Sequence, residues 1–213
     1  MQVQQHINIQ KPMVHFIKPS MKHLVIKTAI LLLSAIFTTN SFAQEVKKDE
    51  ISHNPNATID SSKKSIKAAA MGKIGKANVT VNYHSPGVRK RVIWGGLVPY
   101  NDVWVTGAHS ATNLVIDKPV KVEGKLIPAG KYALFTIPGE EEWTVIINKN
   151  WEQHLTDDYN MNDDLVRVKV KPVKKNSTLE RLQYFITNTG DNKGTIAIEW
   201  EKVRIEFPLQ IIN

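Results

Sequence analysis

Between residues 77 and 207 apolar side chains recur at every second position, in short runs divided by Gly, Pro, Asn and Asp, and no stretch shows a helical period. A backbone that sends successive side chains to opposite faces can bury them only by pairing into sheets. Nine strands are predicted, over 77–83, 112–117, 120–123, 131–137, 142–148, 165–170, 182–187, 195–200 and 202–207. Their joins are too short for crossover helices, so antiparallel pairs dominate.

The faces differ from strand to strand. Val166, Val168 and Val170 oppose Arg167, Lys169 and Lys171, and Val203, Ile205 and Phe207 oppose Arg204 and Glu206, so one side of each is wet. In contrast, 132–137 and 143–147 are apolar on both sides, the mark of central strands covered twice. An all-β fold follows, an antiparallel β-sandwich or jelly roll of about nine strands, with a closed barrel second. Gly124 and Gly139 are expected to supply the positive φ of tight connections. One run, Arg91 to Thr112, breaks the alternation: it holds Trp94-Gly-Gly-Leu-Val-Pro-Tyr100, then Trp104 and Thr106-Gly-Ala108, and reads as a fixed corner wedged by glycine and proline. Trp143 and Trp200, each among apolar neighbours, read as core.

Upstream, Lys22, His23 and Lys27 precede an apolar run over 28–37 and a small-residue site at Ser41-Phe42-Ala43. This is the pattern of a secretory signal peptide over 21–43, cleaved after Ala43. The apolar run is shorter than the roughly 20 residues a membrane span needs, and no membrane span is expected after cleavage. The predicted organisation is an upstream extension (1–20), the signal peptide, a polar flexible arm or linker (44–75) with a short helix over 65–71, and one β-sandwich domain (76–213). A soluble periplasmic or secreted location follows. The first 43 residues carry Lys11, Lys18, Lys22 and Lys27 and no acid, so the net charge of +8 falls by four to +4 on cleavage. That balance gives no reason to expect nucleic acid. Cysteine is absent, which excludes disulfides, a thiol nucleophile, thiolate-held metal and a cysteine-linked lipid.

No nucleophile elbow, no His-Glu-x-x-His and no Ser-x-x-Lys with its companion motifs occurs, serines standing near lysines only in the arm at Ser61, Ser62 and Ser65, so no catalytic residue and no cofactor is assigned. The candidate ligand site is Trp151, Glu152, Gln153 and His154, where an indole on a loop sits beside polar groups, together with His109 and Ser110 of the corner run. A metal reading takes His84, Asp102, His109 and His154, the loop histidines supplying imidazole ligands. The acids Asp157-Asp158 and Asp163-Asp164 read as a solvated turn or a weak calcium loop, and Glu140, Glu141 and Glu142 as a hairpin tip.

Trp94 to Tyr100, Val103-Trp104, Thr106-Gly-Ala108, Ala111-Thr112, Ile127-Pro-Ala-Gly130, Tyr132 to Gly139, Glu142 to Ile146 and Asn148 together resemble the bacterial exported family known as domain of unknown function 2911. The resemblance runs from about residue 66 to 209 and implies an exported bacterial setting but no reaction. This chain departs from the family pattern at Val105, His109 and Ser110, where an arginine, an asparagine and a glutamate are usual. The expected function is a non-catalytic envelope module that binds a carbohydrate, a cell-wall polymer or an envelope protein. A metal-assisted hydrolase is the alternative.

Overall fold

The computed structural model describes residues 51–52 and 64–212. The predicted extension, the signal peptide and most of the arm lie outside the described residues. Eleven strands are present: β1 (Ile51–Ser52), β2 (Ser65–Ile74), β3 (Ala77–Pro86), β4 (Asn113–Ile116), β5 (Val120–Val122), β6 (Lys125–Ile127), β7 (Gly130–Ile137), β8 (Trp143–Asn148), β9 (Asp164–Val170), β10 (Val173–Gly190) and β11 (Lys193–Ile211). The only helical element among the described residues is a 3₁₀ turn at Met161–Asp163. A seven-stranded sheet in the order β1-β2-β3-β4-β7-β8-β9 faces a four-stranded sheet in the order β10-β11-β5-β6. Every pairing is antiparallel except that of β1 with β2. The fold is an all-β sandwich.

Alternation decides which side chains meet between the sheets. Val79, Val81 and Tyr83 of β3, Val166 and Val168 of β9, and Ile196, Ile198, Trp200, Ile205 and Phe207 of β11 share one core. β7 and β8 are covered twice, as their composition requires. Leu134, Val145 and Ile147 enter the main core, whereas Ala133, Phe135 and Ile146 face a second cluster roofed by Val105 and Ala111 of the corner run and by Trp151 and Tyr159.

Several stretches differ from what the sequence predicts. Residues 65–71 are not a helix in a polar arm: Ser65 to Ile74 pairs along its whole length with Pro86 to Ala77. The alanines there suit a helix in isolation. In the folded chain Ala68 and Ala70 are small enough to lie buried beneath β10, and a Cβ on Gly72 would stand 2.7 Å from Ile186. The predicted strands at 195–200 and 202–207 are one strand, β11, whose inward positions are even up to Trp200 and odd from Ile205. The phase shifts at Glu201, at φ 54°, within a bulged stretch of ladder in which β10 carries the additional residues. Strand β6 and the first half of β10 were not predicted. Of the two glycines expected at positive φ, Gly124 takes it (φ 76°) beside Glu123 (φ 47°), closing the β5–β6 hairpin. Gly139 does not; a Cβ there would collide with the Glu142 carbonyl oxygen.

Phe207 is fully buried where β11 crosses the core. Phe207→Ala is expected to lower unfolding free energy by about 3–5 kcal/mol, read from urea denaturation of the full chain.

Candidate functional site

The corner run is held by backbone pairing and by one buried hydrogen-bonded node. Strand β4 accompanies β7 only as far as Ala133, and Trp104 takes up the ladder beyond it through Trp104 N–H to Thr136 O at 2.7 Å and Thr136 N–H to Trp104 O at 3.0 Å. Thr106, fully buried, exchanges a hydroxyl hydrogen bond with Thr136 (2.9 Å), and its carbonyl accepts from Thr112 Oγ1 (3.1 Å) and Tyr184 Oη (2.7 Å). The node spans both sheets, since Tyr184 lies on β10. Val105 packs into the second cluster, and Ser110 is exposed, so two of the three positions that depart from the family pattern face different surroundings.

Four of the five tryptophans form one cluster. The Trp94 ring lies edge-on to Trp143 (4.9 Å between centroids), Trp104 (5.8 Å) and Trp200 (5.8 Å), while Trp104 and Trp200 stack at 19°. Trp143 belongs to the larger sheet and Trp200 to the smaller, so the corner run is clamped to both. Each such pair contributes about 0.5–1.5 kcal/mol beyond the area it buries.

Against this cluster opens a cleft of about 490 Å³. Trp94, Trp143 and Tyr100 supply its aromatic wall. The rim comes from three segments: Glu140 and Glu141 of the β7–β8 tip, Lys171, Lys174 and Lys175 around the β9–β10 join, and Glu201 and Lys202 at the irregular middle of β11. Among the described residues none of these seven charges is engaged in an ion pair; Glu142 beside them pairs with Lys169 instead. Desolvation and the neighbouring Glu140 hold the Tyr100 hydroxyl above its ordinary pKa, so it stays a donor. The Trp94 indole N–H is shielded from solvent and has no acceptor among the described residues. A cleft of this size, apolar walled with polar groups at its edge, has the composition of a small-ligand site.

The residues singled out from the sequence are placed differently. Trp151 lies half-buried against the second cluster, with Lys131 Nζ 3.5 Å from its ring centre, so one ring face is already capped by a cation. Glu152 is exposed. Gln153 is buried, donating through Nε2 to Asn150 O at 2.7 Å. His154 is exposed and meets Asp157 at 3.0 Å. The two predicted segments do meet, through Ala111 N–H to Gln153 O and Leu155 N–H to His109 O. None of these residues lines the cleft. The metal set is not assembled. His84 and His109 approach edge-on with centroids 5.1 Å apart, Asp102 follows Asn101 at the β7–β8 tip, and no group of three or more His, Asp or Glu among the described residues is arranged to hold a metal. Asp164 is committed to structure, accepting from Asn148 Nδ2 (2.7 Å), Tyr159 Oη (2.8 Å) and Arg167 (2.8 Å). Burial and that carboxylate push Tyr159 up to about 12.

The cleft leaves little local mark in the sequence. Trp94 and Tyr100 read as structure, which they also are, and 171–181 fell between predicted strands. The one available signal was the unexplained basic group Lys171, Lys174 and Lys175 around Pro172.

A family model described as protein of unknown function (DUF2911) matches residues 65–209. No curated protein and no solved structure matches the chain.

His84 carries a pKa below its ordinary 6.5, first through desolvation and then through His109 and Lys67. A histidine held neutral in this way favours the native state above pH 6.5, and that contribution fades as pH falls through the depressed value. The thermal midpoint of the full chain is expected to drop on acidification below pH 6.5, and His84→Gln to flatten that part of the profile. An unchanged slope in His84→Gln assigns the acid sensitivity elsewhere.

Proposed function

We propose that this chain, which belongs to the family described as protein of unknown function (DUF2911), is a non-catalytic binding module that holds a carbohydrate or cell-wall polymer in the cleft at Trp94. The observation that carries the reading is the aromatic wall of Trp94, Trp143 and Tyr100 beneath a rim of charges left without ion-pair partners. A pyranose ring offers an apolar face for stacking and hydroxyls around its edge, and the two parts of the cleft match them in turn.

Nothing in the arrangement favours the hydrolase alternative. Its four residues do not gather, and the cleft carboxylates Glu140 and Glu141 share one hairpin tip with Glu201 in the irregular middle of β11, alongside four lysines.

Export belongs to the same proposal, because cell-wall polymer is met outside the cytoplasm. The leader at 21–43 supports it, and mass spectrometry of protein recovered from the producing cell is expected to show Gln44 as its N-terminus.

Binding is tested on the full chain by tryptophan fluorescence against soluble cell-wall oligosaccharides and neutral oligosaccharides. The expected result is saturable quenching, weakened about ten-fold by Tyr100→Ala and by Lys174→Ala, each change corresponding to roughly 1.4 kcal/mol. Trp94→Phe, which keeps an aromatic ring in the cluster, is expected to weaken binding while leaving the thermal midpoint close to wild type. Absence of any response from folded protein, or quenching indifferent to Tyr100→Ala, would falsify the reading.

A further inference from the structure

A second cavity, of about 220 Å³, lies on the outer face of the larger sheet and shares no residue with the cleft. Its lining alternates out of the core. Val81 and Tyr83 of β3 point inward, so Asn82 and His84 at the alternate positions face outward, where Lys67 stands directly across from His84 in the β2–β3 register. Asn113 of β4, hydrogen-bonded to Asn82 at 3.1 Å, and Ser110 of the corner run complete the wall. His109 sets its ring edge-on to His84 at 5.1 Å and is itself fixed by a 2.8 Å hydrogen bond to Ser65.

The charges here are all of one sign. Lys67 from β2 and His109 from the corner run face His84, β4 contributes only the neutral Asn113, and no described lining residue is a carboxylate. A proton on His84 is disfavoured in the empty protein by burial and by these neighbours, and it becomes favourable once a negative charge sits between His84 and Lys67. Hydroxyl and amide donors from Ser110 and Asn113 border the same space, and its volume is well below that of a site for a drug-sized molecule.

We propose that this cavity is a small-oxyanion site, taking inorganic phosphate or a terminal phosphate group between Lys67 and the protonated His84, with Ser110 and Asn113 as neutral donors. It is independent of the glycan cleft. Binding is coupled to proton uptake: the anion offsets the repulsion from Lys67 and His109, so His84 gains a proton as the anion enters. Affinity for the phosphate dianion therefore rises as pH falls from 8 towards 6.

The test is a proton NMR titration of the histidine ring resonances of the full chain, in phosphate and in chloride at matched ionic strength, with His84 identified by His84→Gln. Phosphate is expected to raise the His84 midpoint by about one unit, a ten-fold gain in proton affinity. Lys67→Ala, a change at an exposed position, is expected to lose most of that shift, and Tyr100→Ala in the cleft to keep it. A co-sedimentation arm with phosphatidic acid vesicles, whose headgroup is a terminal phosphate, separates the sources of phosphate. Sedimentation competed away by free phosphate places a lipid headgroup in the site, whereas vesicle binding with no response of His84 to phosphate refutes the site. Equal midpoints in phosphate and chloride refute it as well, as does a full shift in Lys67→Ala.

Discussion

The tryptophan cluster is the joint on which the sandwich and its cleft both depend. Two sheets packed by aliphatic side chains are free to slide until something of definite shape fixes their alignment, because dispersion between branched aliphatics is nearly indifferent to small offsets. Trp143 from β8 and Trp200 from β11 provide that shape, and Trp94 and Trp104 fill the space between them. Both of these come from a stretch with almost no strand pairing of its own. The corner run thus acts as a key inserted between the sheets, and the buried Thr106 node holds it from the other side through Tyr184.

The cleft is a by-product of that joint. Wherever four indoles meet at the margin of a core, at least one must show part of its surface, and here Trp94 does. The β7–β8 tip, the β9–β10 join and the irregular middle of β11 meet close by, and they ring the exposed aromatic surface with lysine and glutamate. Rigid aromatic surface on a pre-formed scaffold loses little conformational freedom on binding, which suits it to recognition. The outer-face cavity has a different origin: it lies where sheet register alone sets Lys67 opposite His84.

How much of this was legible follows from what local pattern encodes. Val166, Val168 and Val170 against their charged neighbours announce β9 because each side chain reports its own face. β2 stayed hidden because its buried face is built from alanine and glycine, small enough to pass beneath β10 and too small to stand out as apolar. The first half of β10, from Val173 to Glu180, is exposed on both faces apart from a half-buried Leu179, so no alternation marks it. The cleft draws on four segments distant in sequence, and their convergence is a matter of strand order, which periodicity does not carry. Trp151 was singled out as a loop indole, yet its ring rests under Lys131, twenty positions away and on another strand. Sequence-local reasoning has no means of seeing that neighbour.

The phase shift at Glu201 carries a consequence for how such a chain can vary. Inward positions on β11 change parity there, from Ile196, Ile198 and Trp200 to Ile205, Phe207, Leu209 and Ile211. One residue more or one fewer between Trp200 and Ile205 turns every later side chain inside out, sending Glu206 and Gln210 to the core and Phe207 to water. The strand accordingly tolerates exchanges of residue type far better than changes of length. Its two halves are indexed to each other as two words are by the space between them, and only a paired insertion and deletion restores the reading.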